Sequence, residues 1–351
     1  MDFHYLHQKN KKVDNMITKV VFFLVGLFSC AFAQENLSIV YVHIGDFLPS
    51  HIFESIRQVR LYNPMEDLYL CANREALDEA QQKLDLYSVK KVPIEALQRS
   101  KEHLQFLKTT SFTNPFWIRT SERLLIVDDL ITHENLTNVF HIESDVMVYM
   151  AFRNMLPVFI KNYSSMAIPF ANDYAAICSI VFCRDKAASH LIAECTARHA
   201  PEGINDMRLP GILKEEKGVI AIDHLPILPP IYIENVDAKS FINKWSPSVQ
   251  DKFAYCKYFD DFGFIFDAVT FGTLLSRQNK KVCEGTVFDP RDFNITWKKD
   301  ERGLYVPYVS YLGLKCRICN LHIHAKNLHE FRSDRKKCPV SWVNGSFIEI
   351  K

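Results

Sequence analysis

The stretch from Leu37 to Ala72 constrains the fold more than any other part of the chain. Leu37 to Ile44 is an apolar run rich in Val and Ile, the pattern of a buried strand. Gly45 ends it, and Pro49 opens a helix reaching about Tyr62, on which Ile52, Ile56, Val59 and Leu61 roughly follow helical spacing. Asn63-Pro64 makes a turn, and Asp67 to Ala72 reads as a second strand. A strand–helix–strand unit crosses over right-handed, so its two strands lie parallel.

The alternation continues downstream. A helix is expected around Glu75 to Leu84, a short strand near Val89 to Val92, and a long helix from Trp117 to Thr132 after Asn114-Pro115. Val139 to Tyr149 reads as one alternating strand, Met166 to Pro169 and Cys178 to Cys183 as two more, and Lys186 to His199 as a helix. Leu209 to Leu225 holds a further helix and strand, whereas the proline-bearing stretch from Pro226 to Tyr258 is expected to run irregularly over the surface. Phe264 to Ser276 reads as a buried helix or turn, Ile318 to His324 as a late strand, and Leu328 to Ser333 as a short helix. The expected fold class is α/β, with a mostly parallel central sheet flanked by helices, in a single domain over 34–335 followed by a C-terminal tail over 336–351.

Hydrophobic residues make up 48% and charged residues 24% of the 351, which suits a folded domain rather than disorder. The formal net charge of +1 provides no global field for nucleic acid or an anionic membrane surface. Lys11, Lys12 and Lys19 precede an apolar run from Val20 to Ala33 that ends Ala31-Phe32-Ala33, the form of a secretory signal peptide over 1–33. As a helix the run spans about 21 Å, short of the roughly 30 Å hydrocarbon core. A short uncleaved anchor through residues 20–33 and a lipoprotein acylated at Cys30 are the alternatives, and Met16 is a possible internal start. The expected location is secreted or in the secretory-pathway lumen, with sequons at Asn36, Asn135, Asn162, Asn294 and Asn344. Export permits disulfides, but Cys316 and Cys319 form a lone CxxC in an apolar stretch and read as buried thiols or one local disulfide.

The chemistry concentrates in HIESDVMVY. Its acids Glu143 and Asp145 stand two apart, which on a strand means one face. In a strand this apolar, a carboxylate pair costs several kcal/mol unless a cation or strong donors offset it. Oxygen ligands suit Mg²⁺ or Mn²⁺, which commonly complete their shell with substrate phosphates. The alternative is a strand that has already left the core at Glu143, its acids solvated.

The segment VFHIESDVMVY resembles the DxD motif of glycosyltransferases with the GT-A fold, in which an acid-x-acid triplet ends a central strand of a nucleotide-binding sheet. The resemblance implies that Asp145 binds metal and that Glu143, here Glu in place of Asp, contacts metal or ribose. The helix FWIRTSERLLIVDDLI resembles the one preceding DxD, and Arg119 and Arg123, four apart on one face, become candidates for the diphosphate. The opening strand would set His43 and Gly45 near base or ribose, since ligands lie at the carboxyl ends of parallel strands. The late segment ICNLHIHAKNL is similar to the metal-binding end of enzymes related to glycogenin and the lipopolysaccharide galactosyltransferases. It implies a His as third metal ligand, His322 or His324 with His324 favoured at the strand end, and Lys326 on the diphosphate. The spacing departs from that family's H-x-x-G-x-x-K. FDAVTFG adds Asp267, and Asp206 follows a helix; either would serve as an acceptor-side base, or merely as a helix cap.

The resemblance covers roughly residues 37 to 335 at motif level. It implies a metal-dependent, hexosyltransferase-like enzyme that uses Mn²⁺ or Mg²⁺ and moves a sugar from a nucleotide-sugar donor to a hydroxyl of a glycan, protein or lipid acceptor. A metal-dependent nucleotide-sugar or phosphoester hydrolase and a non-catalytic binding protein of the same fold are the rivals.

Overall fold

The computed structural model describes residues 35–236, 251–278 and 286–349. The expected signal segment lies outside the described residues. Among those described, no helix is long and apolar enough to cross a membrane.

The strands run in chain order as β1 (Ser38–His43), β2 (Asp67–Ala72), β3 (Lys90–Pro93), β4 (Val139–Ile142), β5 (Val146–Val148), β6 (Met166–Ile168), β7 (Phe170–Asn172), β8 (Ala175–Ala176), β9 (Ile180–Cys183) and β10 (Ile222–His224). Seven form the central sheet in the order β10-β6-β9-β4-β1-β2-β3. β1 lies parallel to β2 and β4, β2 to β3, and β6 to β10; only β9 runs against its neighbours β4 and β6. The carboxyl ends of β1, β4, β6 and β10 therefore share one edge of the sheet.

Alternation along each strand explains the layers. Ile39 and Tyr41 of β1 join Leu68 and Leu70 of β2 and Phe140 and Ile142 of β4 in one core, with Ile52, Ile56 and Val59 of the Ser50–Tyr62 helix. Val40 and Val42 point the other way, into a core shared with Leu124, Val127, Leu130 and Ile131 of the Pro115–Glu134 helix. That helix starts where Asn114 Oδ1 accepts from Phe116 N–H at 2.9 Å with Pro115 at its first position, and ends at Asn135 in the left-handed region, φ 52°. Asp185 caps the Lys186–His199 helix by accepting from Ala188 N–H at 3.0 Å.

A second sheet follows from β11 (Phe264–Ile265), β12 (Asn294–Lys299), β13 (Tyr305–Tyr311), β14 (Leu314–Ile318), β16 (Ser341–Val343) and β17 (Ser346–Ile348), in the order β11-β14-β13-β12-β16-β17. Between them, β15 (Asn320–His322) pairs antiparallel with β5 alone.

Four expectations change. The strand expected over Val139 to Tyr149 breaks at Glu143–Asp145: β4 stays in the central sheet while β5 leaves it for β15. The late strand expected over Ile318 to His324 shortens to β15, Asn320–His322, with Ile318 closing β14 and His324 beyond the strand. The Pro226–Tyr258 stretch buries Ile227, Leu228, Tyr232, Ile233 and Tyr255, because Tyr255 O accepts from both Ile227 and Leu228 N–H and folds the segment inward; residues 237–250 lie outside the described ones. Finally, the stretch expected as a tail pairs into the second sheet, Trp342 of β16 opposite Ile295 of β12. The eight described cysteines are free thiols, and burial pushes Cys316 up to about 12, far from a reactive thiolate.

Candidate active site

The break between β4 and β5 makes the site. Glu143 leaves β4 with its N–H donating to Ser179 O at 3.1 Å, and a turn closes as Val146 N–H donates to Glu143 O at 3.2 Å. The acids thus sit in a turn at the carboxyl edge of the sheet rather than on one strand face. β15 completes the arrangement from far along the chain. Its register sets His322 opposite Val146, and Ile323 N–H donates to Asp145 O at 2.9 Å. His322 Nε2 then lies 3.1 Å from Asp145 Oδ1 and 3.4 Å from Glu143 Oε2. Ligand atoms of Glu143, Asp145 and His322 all fall within 4.8 Å of one another.

β5 has only one strand partner, so its outward carbonyls need other donors. The Ser50–Tyr62 helix supplies them: Ser55 Oγ donates to Val146 O, and Gln58 Nε2 to Val148 O at 2.9 Å. Buried polar residues on a helix face that otherwise packs Ile and Val are explained by this duty.

Asp267 holds β15 from behind. It is fully buried; Oδ1 accepts from Phe271 N–H at 2.9 Å, and Oδ2 from Gly272 at 2.9 Å and His322 at 3.1 Å. Burial pushes its carboxyl up, against the three backbone N–H groups. Gly272 packs so closely that an added Cβ would stand 2.0 Å from His322 O. Val269, which precedes the Thr270–Leu275 helix, sits at φ 70°, a costly conformation for a β-branched residue. Of the two roles expected for Asp267, acceptor-side base or helix cap, the structure favours the second: its oxygens go to backbone donors, two of them in the first turn of the Thr270–Leu275 helix.

Asp206 and Arg123 also turn inward. Arg123 Nη2 lies 2.5 Å from Glu143 Oε1 and 3.3 Å from Asp206 Oδ2, and Asp206 is 4% exposed. Burial would depress the Arg123 guanidinium, yet Glu143 and Asp206 more than offset this and hold it above its ordinary value. Burial likewise raises Asp206, against Arg123. Arg123, expected on the diphosphate, is thus spent on two carboxylates. Arg119, one turn earlier, is exposed.

Burial opposes ionisation of Asp145, but the charge and hydrogen bond of His322, helped by Lys326 and His324, hold it well below the usual carboxylate range. His322 shows the converse: burial lowers it, Asp145 and Glu143 outweigh that, and it is pushed up to about 9. His324, the favoured metal ligand in the sequence, is exposed and meets His322 edge-on with ring centroids 4.7 Å apart. β15 ends at His322, so the alternation that would have aligned the two rings does not continue. Lys326 is exposed at the rim in a left-handed turn, φ 59°. His43 donates from Nε2 to Phe47 O at 2.9 Å, and burial with the charges of Arg119, Lys326 and Arg123 lowers it. Gly45 N–H donates to Asn73 Oδ1 at 2.9 Å.

One residue escaped the sequence reading. His51, in the first turn of the helix after β1, is 8% exposed and has Nε2 3.3 Å from Ser144 Oγ. Its place just beyond the carboxyl end of β1 was the available signal.

No protein-family model and no curated protein matches the chain. Among solved structures it is similar to apo mouse xyloside xylosyltransferase 1 at 8% identity, covering 57% of this chain and 90% of that one with a TM-score of 0.41. It is also similar to galactosyltransferase LgtC in complex with donor and acceptor sugar analogs, at 11% identity over 57% and 78% of the chains and a TM-score of 0.38. A cytidylyltransferase from Leptospira borgpetersenii matches at 9% identity over 56% and 76%, with a TM-score of 0.35. Similarity at this level says nothing about the reaction, which depends on the side chains of the site.

Proposed function

We propose that this chain is a metal-dependent glycosyltransferase that moves a sugar from a nucleotide-sugar donor to an acceptor hydroxyl. The observation that carries the reading is the convergence of Glu143, Asp145 and His322, from two distant segments, at the carboxyl edge of a mostly parallel sheet. Two carboxylates and one imidazole form a donor set that fits Mn²⁺ or Mg²⁺, and His322 Nε2 faces both acids at 3.1 and 3.4 Å. Glu143, Asp145 and His322 would hold the ion, which when bound supplies positive charge to the donor's diphosphate.

The chain's own residues do the rest. Arg119 and Lys326, both exposed near His43, supply cations where phosphate oxygens would lie. Arg123 neutralises the outer oxygen of Glu143 and so fixes its orientation. Asp267 sets the height of His322 through its backbone N–H. His51, whose Nε2 lies 3.3 Å from Ser144 Oγ in the acidic turn, would orient a donor hydroxyl. Action in the secretory route belongs to the same proposal and rests on the basic and apolar pattern of residues 11–33.

A thermal-shift screen of nucleotide sugars with and without Mn²⁺ tests the reading. The expected result is a metal-dependent rise in melting temperature with one nucleotide class, followed by transfer of the sugar to a hydroxyl acceptor. Release of free sugar alone would identify a hydrolase. Nucleotide binding unchanged by Asp145→Ala would remove the metal site from the account.

A further inference from the structure

A second group of ligating side chains lies on different elements. His190 and Glu194, one turn apart on the Lys186–His199 helix, face Glu102 in the first turn of the Lys101–Thr109 helix. His190 Nε2 stands 3.9 Å from Glu102 Oε1 and 3.8 Å from Glu194 Oε1, and the three ligand atoms fall within 4.8 Å of one another. Both distances are too long for hydrogen bonds. Ligands of one tetrahedral ion at about 2.0–2.2 Å stand roughly 3.3–3.6 Å apart, so the set closes with shifts of a few tenths of an ångström.

Two further observations point to a cation. Glu102 is only 6% exposed, and its carboxylate otherwise meets Lys101 Nζ at 3.3 Å, on a side chain 83% exposed. A buried carboxylate whose nearest cation stands on so exposed a side chain keeps charge to spare for an ion. Behind the imidazole, Asp128, 2% exposed on the Pro115–Glu134 helix, takes His190 Nδ1 at 3.5 Å. A carboxylate there keeps the proton on Nδ1 and turns the Nε2 lone pair toward the two glutamates, as in carboxylate–histidine–metal triads. His103 nearby has no such freedom, since Nδ1 meets Asp129 at 2.6 Å and Nε2 meets Glu122 at 3.2 Å.

We propose that Glu102, His190 and Glu194 form a second divalent-metal site, distinct from the Glu143 cluster, that takes Zn²⁺ with water in the fourth position and ties two helices together. One nitrogen and two carboxylate oxygens from short-range helix positions suit a tetrahedral ion. Glu194, whose side chain is 49% exposed, closes the set from the solvent side.

Calorimetric titration of Zn²⁺ into the metal-stripped full chain carrying Asp145→Ala, which silences the other cluster, tests the site. One Zn²⁺ per chain is expected, with affinity falling at least ~100-fold on adding His190→Ala and about 10-fold on adding Asp128→Asn. Glu194→Gln, at an exposed position that does not threaten folding, is expected to weaken binding at least ~10-fold, and the Zn²⁺-dependent rise in melting temperature is expected to disappear in the His190 variant. Zn²⁺ affinity that is absent from the Asp145→Ala protein, or unchanged by both His190→Ala and Glu194→Gln, would overturn the assignment.

Discussion

Gly272→Ala should unseat His322 without touching it. The added Cβ would lie 2.0 Å from His322 O, 2.6 Å from its carbonyl carbon and 2.9 Å from its N. Ordinary contact begins near 3.4 Å, so β15 or the Thr270–Leu275 helix must shift by roughly 1.4 Å; overpacking of this kind costs about 1–3 kcal/mol. The shift also strains the bonds of Asp267 to Gly272 and His322 N–H, which act as one clamp. Metal ligands tolerate displacements of only about 0.2 Å, so His322 Nε2 would leave its place beside Asp145. Loss of its contribution should weaken Mn²⁺ binding about 10–100-fold, or about 1.4–2.8 kcal/mol. Calorimetric Mn²⁺ titration alongside urea unfolding reads both effects. A variant that binds Mn²⁺ within twofold of the parent while keeping its stability would refute the clamp.

Other expectations follow from the same geometry. Arg123→Ala leaves Glu143 and Asp206 buried without their shared cation and should cost about 3–5 kcal/mol in urea unfolding; Arg119→Ala, at an exposed position, should leave stability within about 0.5 kcal/mol yet weaken nucleoside diphosphate binding. Gln58→Leu removes the donor to Val148 O and the partner of Ser333, and should destabilise by about 1–3 kcal/mol, measured as a shift in the denaturation midpoint. Burial, together with Lys214 and Lys257, holds His224 well below its ordinary value. The unfolded chain therefore takes up a proton below about pH 6.5 that the folded chain refuses, so this contribution is present above that pH and is lost on acidification. His224→Phe, which keeps the stack on Phe170, should flatten the pH dependence of stability between about 6.5 and 5 by up to one proton's worth.

Local pattern was a good guide where an element is decided by its own residues. The limits of Asp67–Ala72 and Lys186–His199 were readable to the residue, the first from an apolar run after Asn63-Pro64, and the Asp185 cap seen in the structure fixes the start of the second. The second sheet went unread, although Ile295 and Trp297 of β12 alternate inward between polar residues. Within the site, Glu143, Asp145 and Lys326 were legible as residue types near strand ends. Arg123, Asp206 and Asp267 were legible as polar groups in apolar surroundings, but not as members of internal ion pairs and clamps. A partner many residues away in sequence leaves no trace in local spacing.

The acid-x-acid turn, the apolar strands that lead into it and the late histidines are written in the sequence, because each follows from short-range hydrophobic periodicity and residue chemistry. Which histidine meets the acids is not written there. That choice falls to His322 because β5 leaves the central sheet, β15 pairs with it in a single register, and Asp267 and Gly272 fix how closely the two approach. Register is a property of two strands brought together by the whole fold, and moving it by one residue would turn His322 to the opposite face.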